Sequence, residues 1–349
     1  MDGFFWRVNR MFSGSESRAP RHFLVDVSVT GATGFLGASL VRFHLRRGDS
    51  IRVLARDPRA AERLFPSARV FHGDLKAAQA IPADFVAEAD VLYHCAAEMH
   101  DERDVWLTNV AGTRALARLA AGKVGRWVQA SSASVYGAVR DGVVTEDSPI
   151  QPDSAYGRTK AEAEAAVLAE AAAGGFEAVV VRPSNIFGPG MRSGALFKLF
   201  SMIRRGWFCF IGQPGAVMNY IHVDNVASGL ALSATSDAAG GRVYNLSQQI
   251  SIEQLAAIAA DEMGVREPRF RMPEAPMRVL ASLFERVAGS PLTHRNLDAL
   301  TQRAHYASER IARDLGYNAP VNLETGLREL VKSWLQQSTR NFRPAGRNR

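Results

Sequence analysis

The sequence predicts an α/β fold, a doubly wound parallel sheet with a smaller, partly inserted C-terminal substrate lobe. Three observations predict it. Short apolar runs alternate with longer helix-like stretches across residues 22–183, the pattern of strands buried on both faces between layers of helices. A glycine triplet, Gly31, Gly34 and Gly37, lies between the first apolar run and the first helix-like stretch. After Pro183 the alternation gives way to "NIFGPG", "GQPG" and "MPEAP" among helical segments, until "VYNLS" reads as a strand again.

Taken in order, "FLVDVSV" reads as a buried strand, "TGATGFLG" as a tight turn and "ASLVRFHLRRG" as a helix closed by Gly48. "SIRVLAR" is the second strand, "ARVFHGDL" holds a short third and "ADVLYHCAA" is the fourth, followed by helical "NVAGTRALARLAAG". "VGRWVQASS" is the fifth. A helix from Ser154 to about Ala173 leads into the sixth, "FEAVVVRP". "VYNLS" is expected to return to the first lobe, and "HYASERIARDLGY" with "NLETGLRELVKSWLQQ" gives a strand-like entry followed by amphipathic helices. The implied organisation is a basic, aromatic extension over 1–21, a dinucleotide-binding and catalytic domain over 22–183, a mainly substrate-binding lobe over 184–337, and a basic tail over 338–349. No internal repeat or heptad is present.

Composition sets bounds on function. The chain has 349 residues, 47% hydrophobic and 22% charged, ordinary for a globular protein. Its net charge of +7 sits in the tails: residues 1–21 and 338–349 supply six of the seven excess charges. That distribution argues against a specific nucleic-acid surface on the body. The opening "MDGFFWRVNRMF" lacks a signal-peptide core, and its aromatics leave weak membrane contact open beside docking on the body. No apolar run reaches the roughly eighteen residues of a membrane span. Cys95 and Cys209 lie far apart, which suits free thiols and a cytoplasmic setting. No clustered histidines, cysteines and acids suggest a metal.

The glycine turn has the Rossmann-type arrangement. Gly31 permits the turn, Gly34 admits a pyrophosphate and Gly37 allows close packing, while the first helical residues, Phe35 and Leu36, bring free backbone donors to the phosphates. No acid ends the second strand. Arg56 follows it instead and can pair with a 2′-phosphate, so NADP(H) is preferred to NAD(H), although Asp57 offers an alternative ribose partner. Asp74, with its neighbour Leu75, is placed to meet the adenine amino group, although an ordinary turn aspartate explains it almost as well.

The segments "TGATGFLG", "HGDL", "YHCAAE", "NVAGT", "SSASVYG", "YGRTK", "RPSNIFGPG", "YIHVDNVA", "YNLS" and "DLGY" occur in the order and approximate spacing of the extended short-chain dehydrogenase/reductase family. Over residues 22–335 the chain resembles that family of NAD(P)-dependent epimerases, dehydratases and reductases. The resemblance implies that Tyr156 is the catalytic tyrosine, Lys160 its lysine and Ser132 the catalytic hydroxyl. Two residues four apart on a helix share a face, so Lys160 can stabilise a Tyr156 phenolate and hold the nicotinamide ribose. Ser132 can hydrogen-bond the reacting oxygen. The resemblance further implies that Ala96, Ala97, Pro183 and Ser184 line the cofactor, and that Glu98, Ser134, Tyr136 and Asn185 face the substrate. Tyr136 as a packed aromatic remains equally open. Asn109 is expected to brace the backbone near the site, and His94 and His222 to be structural.

Ala133 and Ser134 stand where the family's sugar dehydratases carry an Asp-Glu pair, which argues against dehydration. Met218 stands where many nucleotide-sugar enzymes carry a diphosphate-binding arginine, leaving Arg192, Arg204 or Arg205 to compensate. The leading expectation is an epimerase or keto-reductase acting on a nucleotide-linked sugar in polysaccharide biosynthesis, as a homodimer packed through helices near 105–121 and 154–173. Two alternatives stand beside it: a lipid- or sterol-directed NADP oxidoreductase, and a cofactor-binding protein without turnover.

Overall fold

A computed structural model describes residues 24–99, 101–191, 194–284 and 293–341. The N-terminal extension, most of the C-terminal tail and Arg192 lie outside the described residues.

The first five strands are β1 (Asp26–Thr30), β2 (Ser50–Ala55), β3 (Arg69–His72), β4 (Ala89–His94) and β5 (Val124–Ala130). They share one sheet; β6 (Val143–Val144) lies outside it, and β7 (Glu177–Pro183) rejoins it. β8 (Asn185–Phe187), β9 (Phe210–Ile211) and β10 (Val217–His222) belong to the lobe. β11 (Val243–Leu246) then comes back to pair in parallel with β7, giving a seven-stranded sheet in the order β11-β7-β5-β4-β1-β2-β3. β12 (Gln248–Ser251) pairs antiparallel with β10, β13 (Arg271–Met272) parallel with β9, and β14 (His305–Tyr306) parallel with β6. The central strands read as continuous apolar runs because both their faces are covered. In β7, for instance, every residue after Glu177 is buried.

The covering helices begin with α1 (Phe35–Arg47), which Gly48 ends in the left-handed conformation at φ 81°, with His44, Arg46 and Arg47 in its last turn. α2 (Pro58–Leu64) has a proline in its first turn and Asp57 as its N-cap. α3 (Glu102–Trp106) runs through a π-helical turn at Leu107–Gly112 into α4 (Thr113–Ala120). α5 (Ala155–Ala172) starts at Ser154, whose hydroxyl accepts the Gly157 N–H at 3.1 Å.

α6 (Ala195–Arg204) and α8 (Ile252–Met263) pack in the lobe, where Phe200, Phe208, Leu255 and Trp334 share a second core. Between them, α7 (Val223–Thr235) belongs to the first core, with Val226, Ala227 and Leu230 packed among Val27, Val29 and Leu40. Ser39 of α1 hydrogen-bonds Asp224 of α7. The lobe is completed by α9 (Glu274–Phe284), α10 (His294–Thr301), α11 (Glu309–Leu315) and α12 (Leu323–Asn341). Ile311 of α11 lies in the first core, so the chain crosses between the two cores several times after Pro183. One stitch joins the lobe to the segment between β5 and β6: Arg303 and Ala304 donate their N–H groups to the Arg140 carbonyl at 2.7 and 3.1 Å.

Asn225 fixes the last crossing. Fully buried, it donates from Nδ2 to the Val321 carbonyl at 2.8 Å and accepts the Val321 N–H on Oδ1 at 2.8 Å. Asn225→Leu strands both groups, so chemical denaturation should show a loss of about 2–4 kcal/mol. A loss below about 1 kcal/mol would mean that other partners replace the asparagine.

Candidate active site

The candidate residues converge at the carboxyl ends of β1, β4, β5 and β7. β1 delivers the glycine turn. Gly31 has φ 69°, and a Cβ there would lie 2.6 Å from the Ala96 nitrogen, so the turn presses directly on the strand end that carries Ala96. A Cβ on Gly37 would lie 2.2 Å from the Gly31 carbonyl oxygen, which holds α1 against the turn. Gly34 is exposed and forms the N-cap of α1, and no side chain caps that helix. Phe35 and Leu36, both half-buried, form its first turn. The uncapped backbone donors and the open approach over Gly34 fit a dinucleotide pyrophosphate.

At the end of β2 Arg56 is exposed, while Asp57 accepts the Ala60 N–H at 3.1 Å as the N-cap of α2. Asp74 likewise caps a short turn, accepting the Lys76 N–H at 3.0 Å. Leu75 is buried with its backbone against Gly112, where a Cβ would lie 2.6 Å from its carbonyl oxygen.

The strand end at Ala96 and Ala97 is held by a buried hydrogen-bond chain. The Ala96 N–H donates to Thr30 Oγ1 at 3.3 Å, and Thr30 Oγ1 lies 2.8 Å from His94 Nδ1. His94 Nε2 lies 2.9 Å from Thr113 Oγ1, which donates to the Asn109 carbonyl at 2.7 Å. Because Thr113 spends its proton on Asn109, His94 donates from Nε2 and accepts at Nδ1 as a neutral ring. Burial, helped by the Lys160 charge, pulls His94 down to about 3, in keeping with that state. Asn109 sits in the π-helical turn, accepting the Glu98 N–H at 2.7 Å and donating to the Glu98 carbonyl at 2.9 Å and to Thr159 at 3.1 Å. It therefore ties the loop after β4 to the first turns of α5.

The last residue of β5 and the one after it meet two successive turns of α5. Lys160 is 3% exposed and donates from Nζ to the Ala130 carbonyl. Ser131 donates to Glu164, one turn further on. Ser132 lies beside them, its hydroxyl accepting the Ser134 N–H at 3.2 Å. Tyr156 is half-buried, and among the described residues its phenol oxygen makes no hydrogen bond. Burial pushes this phenol up to about 12. Lys160 is pulled down to about 8 by burial, against the raising effect of the Glu164 carboxylate. Tyr156 is thus a protonated phenol at neutral pH, and Lys160, one turn along the same helix, is a cation held out of water.

Glu164 is itself buried and paired with Arg182 of β7, Nη2 to Oε2 at 2.6 Å. Arg182 also donates to the Tyr136 hydroxyl at 2.8 Å, and Tyr136 donates to Asn245 at 2.8 Å. Tyr136, expected either to face the substrate or to pack, is 3% exposed and is held by these two bonds. Glu98 is turned back on its own loop, its Oε1 accepting the Met99 N–H at 2.9 Å. Ser134 keeps a buried hydroxyl with no hydrogen-bond partner among the described residues. Asn185 is exposed, with Nδ2 donating to the Asn219 carbonyl at 3.1 Å. Pro183 and Ser184 are buried at the end of β7, and Ser184 is tied through Ser247, Oγ to Oγ 2.9 Å, to the end of β11. Met218 is buried in the lobe core. Among the described residues no group of three His, Cys, Asp or Glu side chains could hold a metal ion, and no helix is long and apolar enough to cross a membrane.

Sequence reasoning missed the Ser131–Glu164–Arg182 network and the Thr30–His94–Thr113 chain. Glu164 had a signal, since it lies on the stripe of Tyr156 and Lys160, one further turn along.

The model of the NAD dependent epimerase/dehydratase family matches residues 27–247. The chain belongs to that family. Its relatives include the low-salt glycan biosynthesis protein Agl12 of Haloferax volcanii, 32% identical over 66% of this chain and 79% of that protein. Sterol demethylase protein B of Methylococcus capsulatus is also 32% identical, over 81% of this chain and 87% of that protein. Among solved structures, MoeE5 in complex with UDP-glucose and NAD is 26% identical with a TM-score of 0.68, covering 90% of this chain and 99% of that one. Like its family, the chain is an NAD-dependent enzyme of the epimerase and oxidoreductase kind.

The buried ammonium leaves a stability signature. Lys160 titrates lower in the folded chain, about 8, than the ordinary 10.5. The unfolded chain therefore binds more protons between those values. The stability debit is full below pH 8 and fades as pH rises towards 10.5. Lys160→Met should be more stable than the parent by about 2 kcal/mol at pH 7, after allowing for the lost hydrogen bond, and should lose that advantage towards pH 10.5. Equal stabilities at both pH values would contradict the burial of a charged lysine.

Proposed function

We propose that this enzyme moves hydride at an alcohol or ketone carbon of a nucleotide-linked sugar, as an epimerase or keto-reductase, with Tyr156 handling the proton. The observation that supports the reading is the buried Lys160, one turn beyond Tyr156 on α5, whose ammonium reaches the Ala130 carbonyl two residues before Ser132 at the carboxyl edge of the sheet. Bound NAD(P) supplies or accepts the hydride and, when oxidised, a positive ring. Tyr156 rests as a phenol, ready to donate to a carbonyl oxygen; Lys160 lowers the cost of the phenolate left behind. Ser132 donates to the same oxygen and holds it in place. The core of β5 and the bracing by Asn109 keep these groups from drifting apart.

Ala133 and Ser134 supply no acid–base pair after Ser132, which weighs against elimination of water in spite of the family's name. The glycan biosynthesis relative and the UDP-glucose complex of MoeE5 support a sugar nucleotide. A second reading, a lipid or sterol ketone, draws on Met218: its place in the lobe core offers no charge to a diphosphate, and sterol demethylase protein B is among the relatives. For the cofactor we favour NADP(H), because Asp57 is occupied as a helix cap while Arg56 stands exposed at the strand end. We also favour a homodimer through α4 and α5, whose shared face shows Ala165 and Ala169 in a shallow groove between Arg114, Arg118 and Glu162.

The decisive experiment is the identity of the nucleotide released on denaturation, followed by turnover on UDP-sugars and keto-sugars. Retained NAD⁺ with interconversion of sugar epimers selects the epimerase, and NADPH oxidation by a keto-sugar selects the reductase. Cofactor binding without turnover of any sugar or sterol ketone would remove the catalytic reading. Tyr156→Phe should lower turnover by about 10²–10⁴-fold while cofactor binding stays intact. Arg56→Ala should weaken NADPH about tenfold and leave NADH unchanged; equal losses for both would assign the arginine to general electrostatics.

A further inference from the structure

Two aromatic rings leave the same end of the lobe's two-stranded sheet. β9 and β13 run parallel with Phe210 opposite Arg271, Trp207 lies just before β9, and Phe270 just before β13. Trp207 is 69% exposed and Phe270 66%, whereas Phe187, Phe200, Phe208 and Phe210 of the same lobe are buried. Both projecting residues are anchored through the backbone. The Trp207 N–H donates to the Met202 carbonyl at 2.9 Å, and the Phe270 carbonyl accepts the Phe210 N–H at 2.9 Å. Water gains nothing from two rings held out on fixed backbone, so the surface asks for a cover.

The charge around the rings says what that cover is. Arg204, Arg205, Arg266 and Arg269 are all exposed, and none of the four forms an ion pair among the described residues. Arg205 lies 5.2 Å over the Trp207 ring. Arg204 lies 4.8 Å over Trp334 of α12, and beyond that helix the sequence adds Arg343, Arg347 and Arg349. Within residues 265–272 only Glu267 opposes three arginines. A second copy of the chain fits this surface poorly, because a two-fold interface would set the four guanidinium groups against their own images. An aromatic pair ringed by unpaired arginines matches the boundary of an anionic bilayer, where tryptophan sits among headgroups and each arginine gains from the surface potential.

We propose that this end of the substrate lobe docks the enzyme on an anionic lipid surface, with Trp207 and Phe270 entering the headgroup boundary and Arg204, Arg205, Arg266 and Arg269 holding lipid phosphates. The docking serves either substrate reading and does not depend on which is right. It is tested with the full chain and sedimenting vesicles of phosphatidylcholine, with and without phosphatidylglycerol. Binding is expected only to the anionic vesicles, falling with added salt. Arg266→Glu with Arg269→Glu should weaken it by about thirtyfold or more, and Trp207→Ser with Phe270→Ser should weaken it by a factor of about ten or more. All four positions are exposed, so thermal midpoint and cofactor binding should stay at parental values and certify the fold. The proposal is overturned by absence of binding to anionic vesicles at low salt. It is equally overturned by binding that survives both double substitutions, which would move the contact to residues 1–21 or the C-terminal tail. Self-association in light scattering that Trp207→Ser abolishes would assign the surface to a second copy instead.

Discussion

One cation out of water organises the catalytic half of this molecule. Lys160 follows Tyr156 by one turn of α5, and its position removes almost all of its hydration. The surrounding polar groups follow as compensation. The Ala130 carbonyl accepts one of its N–H groups, Glu164 supplies opposite charge a turn away, and Arg182 offsets the charge of Glu164 in turn. Arg182 then needs an acceptor, which Tyr136 provides, and Tyr136 needs Asn245. Each partner answers a group left needing one by the step before, as buried ionic groups require. The chain of compensation ends at Glu146, whose carboxylate accepts the Asn245 N–H and faces Arg310 near the surface.

The neighbouring network around His94 works by a different principle. It carries no net charge and runs in one direction, from the Ala96 N–H through two threonines and a neutral imidazole to the Asn109 carbonyl. Its role is register. The glycine turn, the strand end at Ala96 and the π-helical turn at Asn109 come from three separate elements, and the network joins all three. Asn109 carries the connection onward to Thr159, which donates to the Tyr156 carbonyl at 2.9 Å. The extra residue in the π turn is the local distortion that often accompanies a functional side chain.

Much of this was legible in the sequence. The six leading strands and the helix of Tyr156 fall within a few residues of their expected bounds, because apolar runs of valine and isoleucine alternating with capped helices leave few other solutions. The return of "VYNLS" to the main sheet was legible too. The small strands of the lobe were not, since pairs as short as Phe210–Ile211 and Arg271–Met272 depend on contacts between distant segments. Tyr136 was read as either a substrate contact or a packed aromatic. What decides for the core is an arginine 46 residues later in sequence, which no local pattern announces.

The placement of β11 has a consequence for how the chain is made. β7 is an apolar strand with one side open until residues 243–246 arrive to cover it, and the whole stretch of β8 to α7 is translated in between. A ribosome paused in the lobe therefore displays a bare valine-rich edge, the surface most prone to join another chain. The dinucleotide-binding half is not a separable module that ends at Pro183. It is finished by the segment that follows its own insertion, so the two halves mature together.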